Sequence, residues 1–363
     1  ASPLRSLTRV AALGACLILA ACGDSQNYNS RSEYVTVGGD VSGLAGTVTL
    51  VNTVTQAGKN GKTTSGTNPL TLTANGPFTF GLQVAYGSTY AVTVRTQPQG
   101  QFCTVTGGTG TATSNVKSVA VTCRSIVTIG GTISGLDGGT LVLLQNGGNA
   151  LATTANGSFT FTLPVQYGSA YAVLVRDQPA GQTCSTENYA GTANGNVTNV
   201  VVVCRDFTLR PLPDIYATGQ SVNYSAFRAG GPAAGEVPSD ADVLEDLDLL
   251  RTAGFNLLRL FGADDVSEKI LRLAAANFPE MRFQQGLVLF GISPQNAGTC
   301  QDDYGSASDA QVARAIALAN TYSNVVTVSV GNETSFFSRF MPTICLENFT
   351  ARVRNSVTQP VTA

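Results

Sequence analysis

The chain has 363 residues, a net charge of −2, 12% charged residues, and neither His nor Trp. Without His, imidazole bases, imidazole nucleophiles and His-ligated zinc are excluded, which leaves carboxylates as the first candidates for acid–base chemistry. The weak negative charge offers no basic field for nucleic acid, and the length allows two or three domains.

The amino terminus reads as a secretory signal. Arg5 and Arg9 form a basic start, and Val10 to Ala21 form an apolar run too short to span a bilayer comfortably. The run ends Leu19-Ala20-Ala21-Cys22, which resembles a bacterial lipobox. The resemblance implies cleavage before Cys22 and lipid on its sulfur; the alternative is an ordinary signal peptide with a chance cysteine. Residues 1–21 are then signal and 22–33 a polar tether. The lipid anchor is the expected contact with membrane, and the expected location is the cell envelope, on the periplasmic face of the outer membrane or at the surface.

Six cysteines remain: Cys103, Cys123, Cys184, Cys204, Cys300 and Cys345. An even number in an exported chain suggests disulfides, and the absence of C-x-x-C spacing leaves no metal site to expect.

Two segments copy each other. V-T-V-G-G-D-V-S-G-L at Val35 returns as V-T-I-G-G-T-I-S-G-L at Val127, and T-A-N-G-P-F-T-F at Thr73 as T-A-N-G-S-F-T-F at Thr154. Y-G-S-T-Y-A-V-T-V-R-T-Q-P at Tyr86 returns as Y-G-S-A-Y-A-V-L-V-R-D-Q-P at Tyr167. Short alternating runs broken by Asn-Gly, Gly-Gly and Gln-Pro predict antiparallel strands and tight turns, hence two small β-sandwiches over 34–124 and 125–206. An extra polar stretch around Thr55 to Gly66 in the first copy predicts a longer hairpin loop. The equal separations of Cys103/Cys123 and Cys184/Cys204 predict one disulfide within each copy, each worth about 3 kcal/mol in the chain-entropy model. The copies resemble Gly/Thr-rich immunoglobulin-like modules of bacterial surface proteins. They serve either as a spacer or as a carbohydrate-binding module; Tyr86, Tyr90, Tyr167 and Tyr171 recur at strand spacing and read as core or corner residues.

After Arg205 the composition changes, and Phe207 to Asp214 reads as an entry segment. Strands are predicted at Ser221–Phe227, Asn256–Phe261, Phe283–Phe290 and Val325–Val330. Helices are predicted from an N-cap at Ser239 to Gly254, and over Ser267–Ala276, Asp309–Tyr322 and Leu346–Val357. Strand–helix alternation predicts a parallel sheet. The run V-V-T-V-S-V-G-N-E from Val325 reads as a buried strand ending on Asn332 and Glu333, where catalytic groups sit in (β/α) barrels.

Four pieces resemble glycoside hydrolase family 17, the β-1,3-glucanase-like barrels: N-Y-S-A-F-R at Asn223, P-S-D-A-D-V-L-E-D-L at Pro238, L-L-R-L-F-G at Leu257 and V-G-N-E at Val330. The resemblance covers about Leu209 to Ala363. It implies a truncated (β/α)8 TIM barrel over 207–363, with Glu333 as general acid/base of a retaining glycosidase and Asn332 on the sugar 2-hydroxyl. Arg259 and Tyr224 are substrate-binding candidates with structural alternatives. Asp264 and Asp265 read rather as helix-capping residues. Cys300 and Cys345 flank the fourth strand and are expected to pair near the site.

The implied function is a lipoprotein related to hydrolases or transglycosylases of β-glucan or another polysaccharide, with no cofactor. Retaining hydrolysis needs two carboxyl groups about 5 Å apart and neither His nor metal. The family's nucleophile lies at a seventh strand, and a full barrel takes roughly 250 residues, so the chain reads as a piece of a longer frame. The alternative is a non-catalytic glycan-binding or structural envelope lipoprotein.

Overall fold

The computed structural model describes residues 34–57, 63–296, 298–332 and 341–363. Cys22 and Glu333 lie outside these residues. The first copy contains β1 (Tyr34–Val35), β2 (Val37–Ser42), β3 (Val48–Ala57), β4 (Thr63–Leu72) and β5 (Gly76–Thr79). It continues with β6 (Val84–Ala85), β7 (Thr89–Thr96), β8 (Gln101–Thr106), β9 (Thr109–Thr111) and β10 (Val116–Val127). The second copy contains β11 (Ile129–Ser134), β12 (Leu141–Gln145), β13 (Asn149–Thr153), β14 (Gly157–Thr160) and β15 (Val165–Gln166). Its last strands are β16 (Ala170–Asp177), β17 (Gln182–Glu187), β18 (Ala190–Thr192) and β19 (Val197–Asp206).

Each copy stacks two sheets. The orders are β4-β3-β7-β9 against β8-β10-β2-β5 in the first copy, and β13-β12-β16-β18 against β14-β11-β19-β17 in the second. Alternation accounts for the first core: Val48 and Leu50 from β3 meet Tyr90 and Val92 from β7, and Val119 and Val121 from β10. The second copy repeats it with Leu141, Leu143, Tyr171, Val173, Val200 and Val202. The first and last long strands of each copy, β2 with β10 and β11 with β19, run parallel. At that contact Gly39 and Gly131 admit close backbone approach: a Cβ on either would fall 1.6 or 1.8 Å from the carbonyl oxygen of Val119 or Val200.

Disulfides join Cys103 to Cys123 and Cys184 to Cys204, directly opposite residues of β8/β10 and β17/β19. The polar insertion of the first copy differs from the predicted loop. Thr55 to Ala57 and Thr63 to Gly66 lengthen β3 and β4 in register, because Thr-rich backbone is good strand material. No linker separates the copies. β10 runs through the first copy, and its last residues, Ile126 and Val127, pair with β15 of the second.

Beyond β19 come α1 (Ile215–Thr218), β20 (Gln220–Asn223), α2 (Asp240–Thr252), β21 (Phe255–Leu260) and α3 (Asp265–Asn277). β22 (Arg282–Leu287), α4 (Ala307–Thr321), β23 (Val325–Val330), α5 (Thr343–Ser356) and β24 (Val361–Thr362) follow. Ser239 caps α2 through a capping box with Asp242, and the Asp264 carboxylate caps α3 by accepting from the Ser267 N–H at 2.8 Å.

The structure does not bear out the expected truncated (β/α)8 TIM barrel. Among the described residues the strands form one open parallel sheet in the order β20-β21-β22-β23-β24, and β20 and β24 are its unjoined edges. Closure requires the first strand to pair with the last, whereas strand–helix alternation dictates only parallel pairing with right-handed crossovers. The sandwich sheets supply most strands, so the chain is a predominantly β multidomain protein.

Crossovers of one hand in a sequential sheet place the long helices on one face. There Leu258, Leu260 and Phe283 pack with Val243, Leu247, Ile270 and Leu271. Leu174 and Tyr189 of the second sandwich belong to this same core. Among the described residues no helix is long and apolar enough to cross a membrane. The three disulfides are compatible with an exported protein.

Candidate functional site

The sheet face away from the long helices is polar. Register places Asn223 beside Arg259, Arg259 beside Gln284, and Gln284 beside Thr327, one residue from each of four strands. α1 lies over this row. The Tyr216 hydroxyl donates to Gln284 Oε1 at 3.2 Å and makes a short hydrogen bond with the Thr327 hydroxyl. Burial raises the Tyr216 phenol above its ordinary pKa, so it remains a neutral donor. Tyr216, Ser221, Val222, Asn223, Leu257, Arg259 and Gln284 line a cavity of about 270 Å³.

Arg259 connects this cavity to the carboxyl edge of the sheet. Its Nη2 donates to Asn332 Oδ1 at 3.0 Å, and its guanidinium carbon lies 5.7 Å from the Phe261 ring centroid. Its buried Nε has no partner among the described residues. The guanidinium therefore holds the amide just before Glu333 in one orientation while keeping donor capacity.

The edge is stitched from below. Gln311 of α4 accepts from the Ala263 N–H at 2.9 Å and the Val288 N–H at 3.2 Å, and donates to the Ala263 carbonyl at 3.1 Å. The buried Asp302 carboxylate accepts from the N–H groups of Tyr304, Ala307 and Ser308, which shapes the loop into α4. The Cys300–Cys345 disulfide ties that loop to the first turn of α5.

The candidates divide by this geometry. Arg259 and Asn332 are brought together. Tyr224 is turned away: it is 7% exposed, its hydroxyl donates to Asp246 Oδ2 at 3.0 Å, and burial with Asp246 raises its phenol pKa. Asp246 also pairs with Arg228, which makes this a structural cluster on α2. Asp265 pairs with Arg314. Tyr90 and Tyr171 are buried, whereas Tyr86 and Tyr167 are exposed, so only the first pair belongs to the core. Glu333 and Cys22 lie outside the described residues. No cluster of three or more potential metal-ligating side chains lies among the described residues.

Tyr216 and Gln284 were not site candidates from sequence. The alternation in R-F-Q-Q-G-L carries a signal for Gln284, whereas Tyr216 sits in a four-residue helix with no periodic pattern.

No family model and no curated protein matches the chain. Its structural neighbours include glycosidases of low identity. A beta-glycosidase from Bacteroides vulgatus is 11% identical at a TM-score of 0.29, with 90% of this chain and 45% of that one covered. A glycosyl hydrolase family 2 member from Bacteroides cellulosilyticus is 14% identical at 0.25, with 87% and 45% covered. The C-terminal fragment of pilus adhesin SpaC from Lactobacillus rhamnosus GG is 11% identical at 0.19, with 48% and 100% covered. The chain spans less than half the length of the two glycosidase chains, and TM-scores of this size assign no function.

Proposed function

We propose that the carboxyl edge of the parallel sheet is a polysaccharide site, with β-glucan as the first substrate class to test, and that Glu333 is the general acid/base of a retaining glycosidase or transglycosylase. The observation that carries this reading is the Arg259–Asn332 hydrogen bond. It orients an amide at the end of β23, and the same Arg259 lines the cavity with Gln284 and Tyr216. Such an amide can meet a sugar hydroxyl, and a bond to the 2-hydroxyl strengthens as the oxocarbenium-like transition state forms.

Glu333 would give its proton to the leaving glycosidic oxygen while a second carboxylate attacks the anomeric carbon. It would then take a proton from the water, or acceptor sugar, that displaces this carboxylate. The second carboxylate is not assigned to a residue. Lipid attachment at Cys22, and the division into two sandwiches over 34–124 and 125–206 with a catalytic unit over 207–363, belong to the same proposal.

The test is Glu333→Ala in the full-length protein, assayed on β-glucan and on an aryl glycoside with an acidic phenol. Turnover of the glucan is expected to fall by about 10²–10⁴-fold. The aryl glycoside should suffer less, and azide should yield a glycosyl azide of retained configuration. Unchanged glucan turnover by the variant would overturn the assignment. Wild-type protein that retains glucan without releasing or transferring sugar would instead establish a binding module.

A further inference from the structure

The two sandwich copies share their main sequence motifs but not their surroundings. In the first copy, Thr93 of β7 and Phe102, Thr104 and Thr106 of β8 are exposed, Phe102 by 43%. The matching residues of the second copy are Leu174, Thr183, Ser185 and Glu187. The first three are buried, Leu174 to 1%. What covers them is α5.

The contact is specific. Asn348 of α5 accepts from the Val175 N–H and donates to the Val175 carbonyl, both at 2.9 Å, so one side chain behaves as a strand partner to β16. Further along the same helix, Asn355 Nδ2 donates to the Thr183 carbonyl and the Ser185 hydroxyl, both at 3.0 Å. Tyr189, which stands where the first copy has Gly108, donates to Asp309 of α4 at 2.8 Å, and Arg352 lies over its ring and pairs with the same carboxylate. The turn between β12 and β13 also touches the loop into α4: a Cβ on Gly147 would fall 2.9 Å from Gly298 Cα.

We infer that the second sandwich is a brace for the parallel-sheet unit, holding α4, α5 and the Cys300 loop in position, and that the first sandwich lacks this role. Small residues at Thr183 and Ser185 let α5 approach closely, and Leu174 and Tyr189 extend the helix-side core into the sandwich. Through Cys300–Cys345 the brace fixes both segments that flank the candidate site. Val175, Asn348 and Tyr189 are therefore positioning residues for it. The brace does not depend on what the site binds.

Amide hydrogen exchange on the full-length protein tests this without any ligand. Leu174→Thr with Tyr189→Gly installs the residues of the first copy, which a sandwich of this design already accommodates. Amides of α5 and of residues 299–306 should exchange at least about tenfold faster, while those of β11 and β19 stay within about threefold. Asn355→Ala gives a second reading of opposite sign. Alanine favours an isolated helix, so an unbraced α5 would exchange more slowly, whereas a braced one should exchange faster. Thr93→Leu in the first copy should change neither set. Unaltered α5 exchange in the double variant, or slower exchange in Asn355→Ala, overturns the brace.

Discussion

Replacing Asn348 by alanine should unfold the helical part of this protein at lower denaturant. Asn348 is 4% exposed, and its amide satisfies both the N–H and the carbonyl of Val175. Alanine would leave these two buried peptide groups without partners, at about 1–3 kcal/mol each. The gain in helix propensity returns only about 0.7 kcal/mol, and the Ile344 carbonyl, which Asn348 also reaches at 2.8 Å, keeps its helical context. The net destabilisation is then about 1–5 kcal/mol. All five α-helices of the described residues lie between Ile215 and Ser356, so the 222 nm signal in a urea titration is dominated by this unit. With a slope of about 2 kcal/mol/M, its midpoint should fall by roughly 0.7–2.5 M. A shift under about 0.3 M, or a rise, would show that Asn348 is a surface residue of a helix that stands alone.

Gly39→Ala and Gly131→Ala should each prevent one sandwich from closing, because the added methyl would lie under 2 Å from a backbone oxygen. Limited proteolysis should cut the affected copy and spare the other. Ser239→Ala removes one half of the capping box of α2 and should cost about 1 kcal/mol in the same urea titration. Stability should fall as pH drops below about 4. Arg272 and Lys269 hold Asp240 below its ordinary pKa, Ser239 does so for Asp242, and backbone N–H groups of Arg228, Gly231 and Ala229 do so for Glu236. A depressed folded pKa stabilises the fold above the unfolded value and is lost on acidification through the folded one. Thermal midpoints flat between pH 7 and pH 3 would contradict these pairings.

Local patterns were legible where one physical rule acts alone. Ser239 and Asp242 announce the start of α2, and the phase of Val325 to Val330 announces a buried strand. The repeated Gly-Gly and cysteine positions announce two like sandwiches with like disulfides. The absence of a barrel was not legible, because strand–helix alternation reads the same in an open parallel sheet as in a piece of a barrel. The choice between the two roles open to Tyr224 was not legible for a related reason. A tyrosine just past a strand can turn to either face, and the pairing with Asp246 that decides the matter spans α2 rather than the strand. The role of α5 was hidden in two asparagines whose partners lie far back along the chain, in β16 and β17. The change from Thr93 to Leu174 did carry a trace of it, because an apolar residue in an otherwise polar phase asks for a cover.

β10 passes from one sandwich to the next without a break, and in each copy the first and last long strands are parallel neighbours. Tension applied along the chain therefore meets each sandwich in shear. Pulling β2 and β10 in opposite directions loads all of their cross-strand bonds at once, whereas a hairpin arrangement would release its bonds in succession, like a zip. The same holds for β11 and β19, to which β10 hands the load directly. The disulfides fasten β8 to β10 and β17 to β19 beside these pairs, so the strand that carries the pull is also covalently tied into its own sheet. A chain tethered at one end and tugged at the other would stretch little before it yielded.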